Sequence, residues 1–346
     1  RAAGDRATEA SALCTLAASE ALTHPITSLG LIDEAAAVAR SAGNVLVAFA
    51  SSMPAPEPDV QALAPQVLAR AHHNGIAYSF NCESARRRYV RTEQASTFVM
   101  RYGYERTTIA SFRAQSALLA GDWPATGSFE VSGDPETDLF AASVQMLETV
   151  VSAARTGPTD AHVATASRLT RLPIARSAPQ WVVPWLGSEA LLLFSVGRRA
   201  ESEERTREML TFVDRLALPD LSLTALGRGL NIPAILLLLM GHRERLERMA
   251  AALEGTEGYG GDRDRLLAFV AALRGDDDAA HRHFVAAGGP YRDRGLLFTR
   301  VLDLWALGVM RPLGANWSGE IAEARDVLRR ADAAWLAGRL VTPARA

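Results

Sequence analysis

The stretch that decides the fold is Leu238–Leu253, "LLMGHRERLERMAAAL". An apolar run ends at Gly241, charged residues follow, and from Leu246 apolar side chains return with the spacing i, i+3, i+4, i+7 of one helix face. Helices often end at a glycine in the left-handed conformation, and polar residues favour the start of the next helix. The pattern predicts two antiparallel helices joined by a tight turn.

The same order of apolar residues, glycine and a new helical segment recurs along the chain. The predicted turn glycines are Gly30, Gly121, Gly197, Gly241, Gly275 and Gly308. The last two intervals between them, 34 and 33 residues, match the period of the tetratricopeptide repeat. Because one helical hairpin cannot bury its apolar stripe alone, neighbouring hairpins stack. We therefore predict an all-α chain that forms an irregular, right-handed, tetratricopeptide-like α-solenoid of helical hairpins.

A proline-rich stretch near the middle of the chain suggests a division. Residues 172–187, "LPIARSAPQWVVPWLG", are rich in proline, which breaks helices, so we predict a loop or connection there. We place degenerate helical repeats in residues 1–172, a proline-rich connection in 173–187 and tetratricopeptide-like repeats in 188–346. One continuous solenoid remains the alternative.

Composition excludes several classes of function. The chain has 346 residues and a net charge of -2, and all 37 of its basic residues are arginine. Without lysine there is neither Schiff-base chemistry nor a P-loop, and the net charge does not favour nucleic-acid binding. The longest wholly apolar run, Pro233–Met240, is too short to cross a bilayer, so we expect no membrane contact. Cys14 and Cys82 have no metal-ligand spacing and make no disulfide framework, which fits a reducing cytoplasm.

Two stretches resemble known helical repeats. Leu29–Gly43, "LGLIDEAAAVARSAG", resembles the second helix of a tetratricopeptide repeat, with Gly30 at the turn and Ala35 as the small packing residue. Arg101–Ala125, "RYGYERTTIASFRAQSALLAGDWPA", resembles a motif in the helical-repeat segment of large bacterial regulators, the LuxR-type proteins with an NTPase core of the MalT kind and related actinobacterial regulators and cyclases. The resemblance implies a region that receives a small inducer or a protein signal and restrains the NTPase. This sequence contains neither the family's P-loop nor its helix-turn-helix, so those activities are not carried over.

The densest basic feature is "ARRRYVRTEQASTFVMRYGYER", in which arginines alternate with tyrosines. Such side chains can bind phosphate, carboxylate or a nucleotide base through bidentate hydrogen bonds and stacking. The alternative is a solvated helix face with tyrosines packed between repeats. The candidate ligand- or partner-binding residues here are Arg86, Arg87, Tyr89, Arg91, Arg101, Tyr102 and Tyr104.

Tryptophans form a second candidate binding surface. Trp181 and Trp185 lie in the proline-rich connection, and Trp123 lies at a predicted turn. Aromatic side chains in such places form a pocket wall or a partner anchor. The alternative is that they fill the gap where two hairpins stack irregularly.

An acidic run suggests a metal site. Asp276, Asp277 and Asp278 are followed by His281 and His283. The alternative is that the aspartates cap the start of a helix, and histidines two residues apart point to different sides of a helix. We favour capping and expect no bound metal or other cofactor. Ser188 lacks the G-x-S-x-G pattern of a nucleophile, so a capping role is predicted for it.

The expected function is a non-catalytic, signal-sensing or protein-interaction region of a bacterial transcriptional or signalling regulator. It would act by conformational restraint that depends on a ligand or partner, since a ligand shifts an equilibrium only through its different affinities for the two states. The partner would be another protein or adjacent domains of the same polypeptide, with no direct nucleic-acid contact. The first alternative is a small-molecule sensor with an arginine and aromatic pocket between repeats. The second is a helical metal-dependent enzyme around Asp276–Asp278.

Overall fold

The chain is helical wherever its structure can be described. The computed structural model describes residues 9, 12–17, 20, 24–41, 106–123, 129, 133–173, 179–215, 230–256, 259 and 261–340. These residues form helices and turns and contain no strand, which confirms the all-α prediction. Among the same residues, no helix combines the length and the apolarity that a membrane crossing requires. The tetratricopeptide-like arrangement stays a prediction.

The helices follow one another with short connections. They are α1 (Pro25–Ser41), α2 (Arg106–Ala120), α3 (Leu139–Thr156), α4 (Asp160–Thr170), α5 (Pro179–Ser195), α6 (Arg199–Arg215), α7 (Ile232–Leu239), α8 (Arg243–Ala252), α9 (Asp262–Arg274), α10 (Asp277–Asp293), α11 (Leu297–Met310), α12 (Ser318–Arg330) and α13 (Ala334–Arg339). A short 3₁₀ helix at Ala315–Trp317 precedes α12.

Two compact units divide the chain. Residues 1–112 with 256–258 form the first, and residues 113–255 with 259–346 form the second. In the first unit, Ser28 Oγ of α1 donates to the Ala17 carbonyl (2.7 Å), and Ile32 packs against Ala17. Ala35 of α1 is fully buried, which fits its predicted role as a small packing residue.

The predicted glycine turn is correct at four of the six positions. Gly121, Gly197, Gly241 and Gly275 all have φ between +73° and +86°. At Gly241, its own N–H donates to the Leu238 carbonyl (3.0 Å) and the next N–H donates to the Leu237 carbonyl (2.8 Å). This pair of bonds is the Schellman arrangement that closes a helix end, and the other three glycines have it as well.

The prediction is wrong at Gly30 and Gly308, which lie inside α1 and α11. An interior glycine costs a helix only about 1 kcal/mol, which the surrounding turns of helix can offset. The turn before α11 is instead made by Gly295, with φ +65° and a 2.8 Å bond from the Leu296 N–H to the Tyr291 carbonyl. The 33-residue interval from Gly275 to Gly308 therefore marks no turn.

The prediction that residues 172–187 resist helix formation is wrong from Pro179 onward, where α5 begins. Pro179 is the first residue of α5, where a backbone N–H has no helical acceptor in any case. Pro184 does remove one hydrogen bond from the interior of α5. Burial compensates, because both tryptophans of α5 and the residues Val182, Val183 and Leu186 are almost fully buried.

Within the second unit, α5 is central and the last helix returns to the first ones. Helix α5 packs against α3, α4, α6 and α7, and α9 packs between α8 and α10. Helix α13 packs against α3, where Arg155 Nε donates to the Ala331 carbonyl (3.1 Å). A stack in which each hairpin contacts only its neighbours in sequence does not account for this last contact.

Candidate ligand cavity

Helix α5 presents two tryptophans on one face. Trp181 and Trp185 are four residues apart, so they lie one turn from each other, with ring centroids 6.0 Å apart and planes at 58°. Phe140 of α3 meets the Trp181 ring edge-on, with centroids 5.4 Å apart. Both tryptophans belong to a core cluster with α3 and α4. They are therefore rigid, well-packed side chains.

The same two tryptophans line a cavity of about 490 Å³, a volume that includes its opening to solvent. The wall residues lie on α2, α3, α5 and the start of α7, with Leu230 just before it, and all of them belong to the second unit. They are Gln115, Leu118, Leu119, Ser143, Met146, Leu147, Trp181, Pro184, Trp185, Ser188, Leu230 and Ile232. Small-molecule pockets usually have mainly apolar walls with a few polar groups. The cavity has these properties.

The polar groups of the wall are neutral. They belong to Gln115, Ser143, Ser188 and the two tryptophans, and within the described part of the chain no charged side chain lines the cavity. Ser188 Oγ donates to the Pro184 carbonyl (2.9 Å) inside α5, so the predicted capping role of Ser188 is wrong. Ser143 is 3% exposed, and its hydroxyl has no hydrogen-bond partner among the residues that the structure describes.

A buried ion pair supports the α7 side of the wall. Arg265 of α9 donates to Asp303 of α11 through Nε (2.7 Å) and Nη2 (2.5 Å), and both side chains are at most 2% exposed. Arg265 Nη2 also lies 3.4 Å from the carbonyl oxygens of Leu230 and Asn231. Burial raises the pKa of Asp303, although the adjacent Arg265 opposes this shift. The pair therefore joins α9 and α11 to the segment that closes one side of the cavity.

Asn231 is the irregular residue of this segment. It precedes α7 with φ +46° and ψ +45°, a left-handed conformation that is uncommon for any residue other than glycine. Its side chain is 2% exposed, and neither amide atom has a hydrogen-bond partner in the described ranges. The residues on either side of it, Leu230 and Ile232, both line the cavity.

A second buried pair lies on α9 and the end of α10. Arg294 Nη1 donates to one oxygen of Asp262 (2.7 Å), and the Tyr291 hydroxyl donates to the other (2.7 Å). Burial raises the pKa of Tyr291 well above its ordinary value, and the charge of Asp262 adds to the shift. Tyr291 is thus a neutral hydrogen-bond donor to a carboxylate, which makes the group structural rather than reactive.

The acidic run and its histidines have separate partners. Asp276 Oδ1 accepts from the Ala279 N–H (2.9 Å) at the start of α10, which confirms the capping interpretation for this residue. Asp277 pairs with Arg311 (2.8 Å), and His281 lies 3.3 Å from Glu320. His283 lies 3.0 Å from Asp264 on another helix. Among the described residues no three metal-ligating side chains gather at one point.

The remaining candidates divide into those described and those outside the described residues. Arg86, Arg87, Tyr89, Arg91, Arg101, Tyr102 and Tyr104 lie outside, so their binding role stays a prediction. Trp123 is buried: its indole N–H donates to the Leu118 carbonyl (3.1 Å), and its ring meets Phe298 edge-on with centroids 4.8 Å apart. It fills a gap between helices.

The sequence-based prediction identified two of the twelve residues that line the cavity. Gln115 and Ser143 were missed because a few polar residues on a mainly apolar helix face are a common feature that carries no signal of its own. No protein-family model matches the chain, and no curated protein is similar enough to match it.

Proposed function

We propose that the chain is the signal-sensing region of a bacterial regulator of the LuxR-type, NTPase-containing kind, and that its signal is a small molecule bound in the cavity. In this proposal the helical hairpins form an irregular tetratricopeptide-like solenoid, and the region is not catalytic. The adjacent domains of the same polypeptide, or a protein partner in the cytoplasm, receive the response.

The observation that carries the proposal is the cavity beside Trp181 and Trp185. Of the alternatives that the sequence leaves open, a small-molecule sensor is the one that requires an enclosed, mainly apolar space with aromatic walls. The cavity has apolar and aromatic walls of this kind, with an opening to solvent. The sequence predicted arginines in such a pocket, but none is among the described lining residues. The proposed pocket is therefore uncharged where the predicted one was positively charged.

The position of the cavity suggests how binding produces a response. Its wall comes from four segments that are distant in sequence, on α2, α3, α5 and the start of α7. A ligand that contacts all four stabilises the arrangement in which they are close together. At a concentration of about 100 times its Kd it would favour that arrangement by roughly 2.7 kcal/mol over one that does not bind. The adjacent domains would sense this change in population.

Two matched serine variants on α5 test ligand binding. Ser188 and Ser195 each donate to the carbonyl four residues earlier, at 2.9 and 2.8 Å, but only Ser188 lines the cavity. Ser188→Leu places an apolar side chain in the cavity, whereas Ser195→Leu makes the same chemical change elsewhere. The probe is Prodan, an uncharged naphthyl ketone whose emission shifts to the blue in an apolar site.

We expect saturable binding of one Prodan per chain to the wild type and to Ser195→Leu. Ser188→Leu should raise the Kd about tenfold or more, because the added side chain occupies the space of the probe. Circular dichroism of each variant checks that the helices are intact. Equal affinity for both variants, or no saturable binding to the wild type, would contradict the proposal. The regulator assignment has its own test: the reading frame should encode a P-loop before this region and a helix-turn-helix after it.

A further inference from the structure

The cavity wall also carries information about the chemistry of the ligand. We infer that the cavity binds an uncharged, mainly apolar molecule that has a flat ring and at least one oxygen that accepts a hydrogen bond. This inference rests on the proposed function, because it concerns the molecule that the same cavity would take. Charge, hydrogen-bonding groups and shape each support one part of it.

The described part of the wall offers no charge that would pair with an ionic ligand. Its described side chains are apolar or neutral, and the nearest acidic residue in sequence, Glu189, already has partners. Thr170 donates to Glu189 (2.7 Å), and Arg205 lies 3.3 Å from it. A charged ligand would therefore lose its hydration without gaining an opposite charge, which is a large cost in a mainly apolar site.

Two polar groups of the wall can donate a hydrogen bond to a ligand. Neither the indole N–H of Trp185 nor the hydroxyl of Ser143 has a hydrogen-bond partner within the described ranges, although both side chains are only 3% exposed. An indole N–H can only donate, and a hydroxyl can donate as well as accept. Neither atom is among the fully buried ones, so water can hydrogen-bond to it, and an acceptor oxygen on a ligand would replace that water. A ketone, ester or ether oxygen has the required chemistry.

The shape of the wall favours a flat ring. Trp181 is held between the edge-on Phe140 and the tilted ring of Trp185. Two fixed indole rings on successive turns of α5 offer broad, rigid surfaces, and aromatic rings gain energy from offset or edge-on contacts with such surfaces. A planar ring fits these surfaces better than a flexible chain, because it loses less conformational entropy on binding.

Four naphthalene probes of similar size separate the parts of this inference. Acetylnaphthalene has an acceptor oxygen, isopropenylnaphthalene has none, naphthoate is an anion and naphthylmethylammonium is a cation. Isothermal titration calorimetry of the whole chain gives the Kd for each probe. We expect acetylnaphthalene to bind most tightly, isopropenylnaphthalene about three- to tenfold more weakly and the two ions at least about 100-fold more weakly.

Tryptophan variants assign the donor. Trp185→Phe keeps an aromatic ring but removes the N–H, so acetylnaphthalene should lose its advantage while isopropenylnaphthalene keeps its Kd within about twofold. The control is Trp305→Phe, since Trp305 is buried in α11 but does not line the cavity, and here the advantage should remain. Ser143→Ala should reduce the advantage by itself if the hydroxyl also donates.

The outcomes separate this inference from the proposal on which it rests. If naphthoate or naphthylmethylammonium binds within about tenfold of acetylnaphthalene, the cavity still binds a small molecule but the inferred ligand class is wrong. The same holds if isopropenylnaphthalene binds the wild type as tightly as acetylnaphthalene, or if Trp185→Phe leaves the advantage unchanged. If none of the four probes binds, and Prodan does not bind either, the proposed ligand site itself is overturned.

Discussion

Replacing Asp303 by asparagine should remove a large fraction of the stability of the second unit. Arg265 is 1% exposed, and Asp303 is the only carboxylate within ion-pair distance of it among the described residues. Its other acceptors are the carbonyl oxygens of Leu230 and Asn231, both at 3.4 Å. Asparagine nearly preserves the volume of the side chain but leaves the guanidinium charge buried without a counter-charge. Such a loss typically costs about 3–5 kcal/mol.

That cost is a substantial part of a total folding free energy of roughly 5–15 kcal/mol. Urea unfolding followed by circular dichroism measures it, and Asp326→Asn is the control. Asp326 lies 2.9 Å from Arg329, but the two side chains are 58% and 78% exposed, so this pair should contribute at most about 1 kcal/mol. If Asp303→Asn and Asp326→Asn reduce stability equally, the reasoning from buried charge is refuted.

A double variant tests the physical cause further. The combination of Arg265→Met and Asp303→Leu replaces the pair with apolar side chains and leaves no charge behind. Because apolar replacements of buried ion pairs are often neutral or stabilising, it should recover more than half of the stability lost in Asp303→Asn. A double variant as unstable as Asp303→Asn would contradict the uncompensated charge as the cause of the loss.

Three further predictions concern turns, helix caps and packing. Gly241→Ala should cost about 1–2 kcal/mol because its φ is +73°, whereas Gly319→Ala inside α12 should gain about 0.5–1 kcal/mol, since both sites have open space around them. Urea unfolding measures both, and equal effects would exclude the backbone explanation. His162 Nδ1 accepts from the Thr159 N–H (3.1 Å), and burial lowers the pKa of His162 below 6.5. As the pH falls, the unfolded chain therefore binds this proton before the folded chain does, so the stability of the wild type should decline below about pH 6.5. The decline should be smaller in His162→Gln, which keeps a side chain that can cap the helix but does not titrate. Urea unfolding at about pH 7.5 and 5.5 measures the difference. Gly157→Ala would bring a Cβ within 2.9 Å of the Trp335 ring and should therefore destabilise the wild type. In a Trp335→Ala background, the loss of unfolding free energy should be smaller by about 1 kcal/mol or more. An equal loss in both backgrounds would mean that the φ of +96° alone is responsible.

Much of the helical pattern was predictable because helix ends have a local cause. Each of the four correctly predicted turn glycines is followed by a polar or charged residue, whereas Gly30 and Gly308 are followed by leucine and valine. This difference separates the correct from the wrong predictions. Gly295 shows its limit, because Leu296 follows it and is 1% exposed. There the turn is stabilised by burying an apolar residue just beyond the helix, a tertiary contact that the local sequence does not reveal.

The cavity could be predicted only in part because its wall is assembled from distant segments. The four-residue spacing of Trp181 and Trp185 indicates two aromatic rings on one helix face, but only if residues 179–195 are helical. The prolines disfavour this helix, but the burial of its apolar side chains stabilises it. Leu118, Met146 and Leu230 look like ordinary core residues in the sequence. Their exposure to one cavity depends on how α2, α3, α5 and α7 pack, which no short-range pattern records.

The polar groups of the interior give the strongest physical reason to regard the cavity as a site rather than a packing defect. The buried carboxylates Asp262, Asp303 and Glu189 all have cationic or hydroxyl partners. Trp185, Ser143 and Asn231 are in or next to the wall and have polar atoms without a partner among the described residues, and Arg265 Nη1 is such an atom outside the wall. A simple void would be lined by apolar groups, as dry cavities are. A bound molecule with an acceptor oxygen would pair with the donors of Trp185 and Ser143, which a purely apolar void could not offer it.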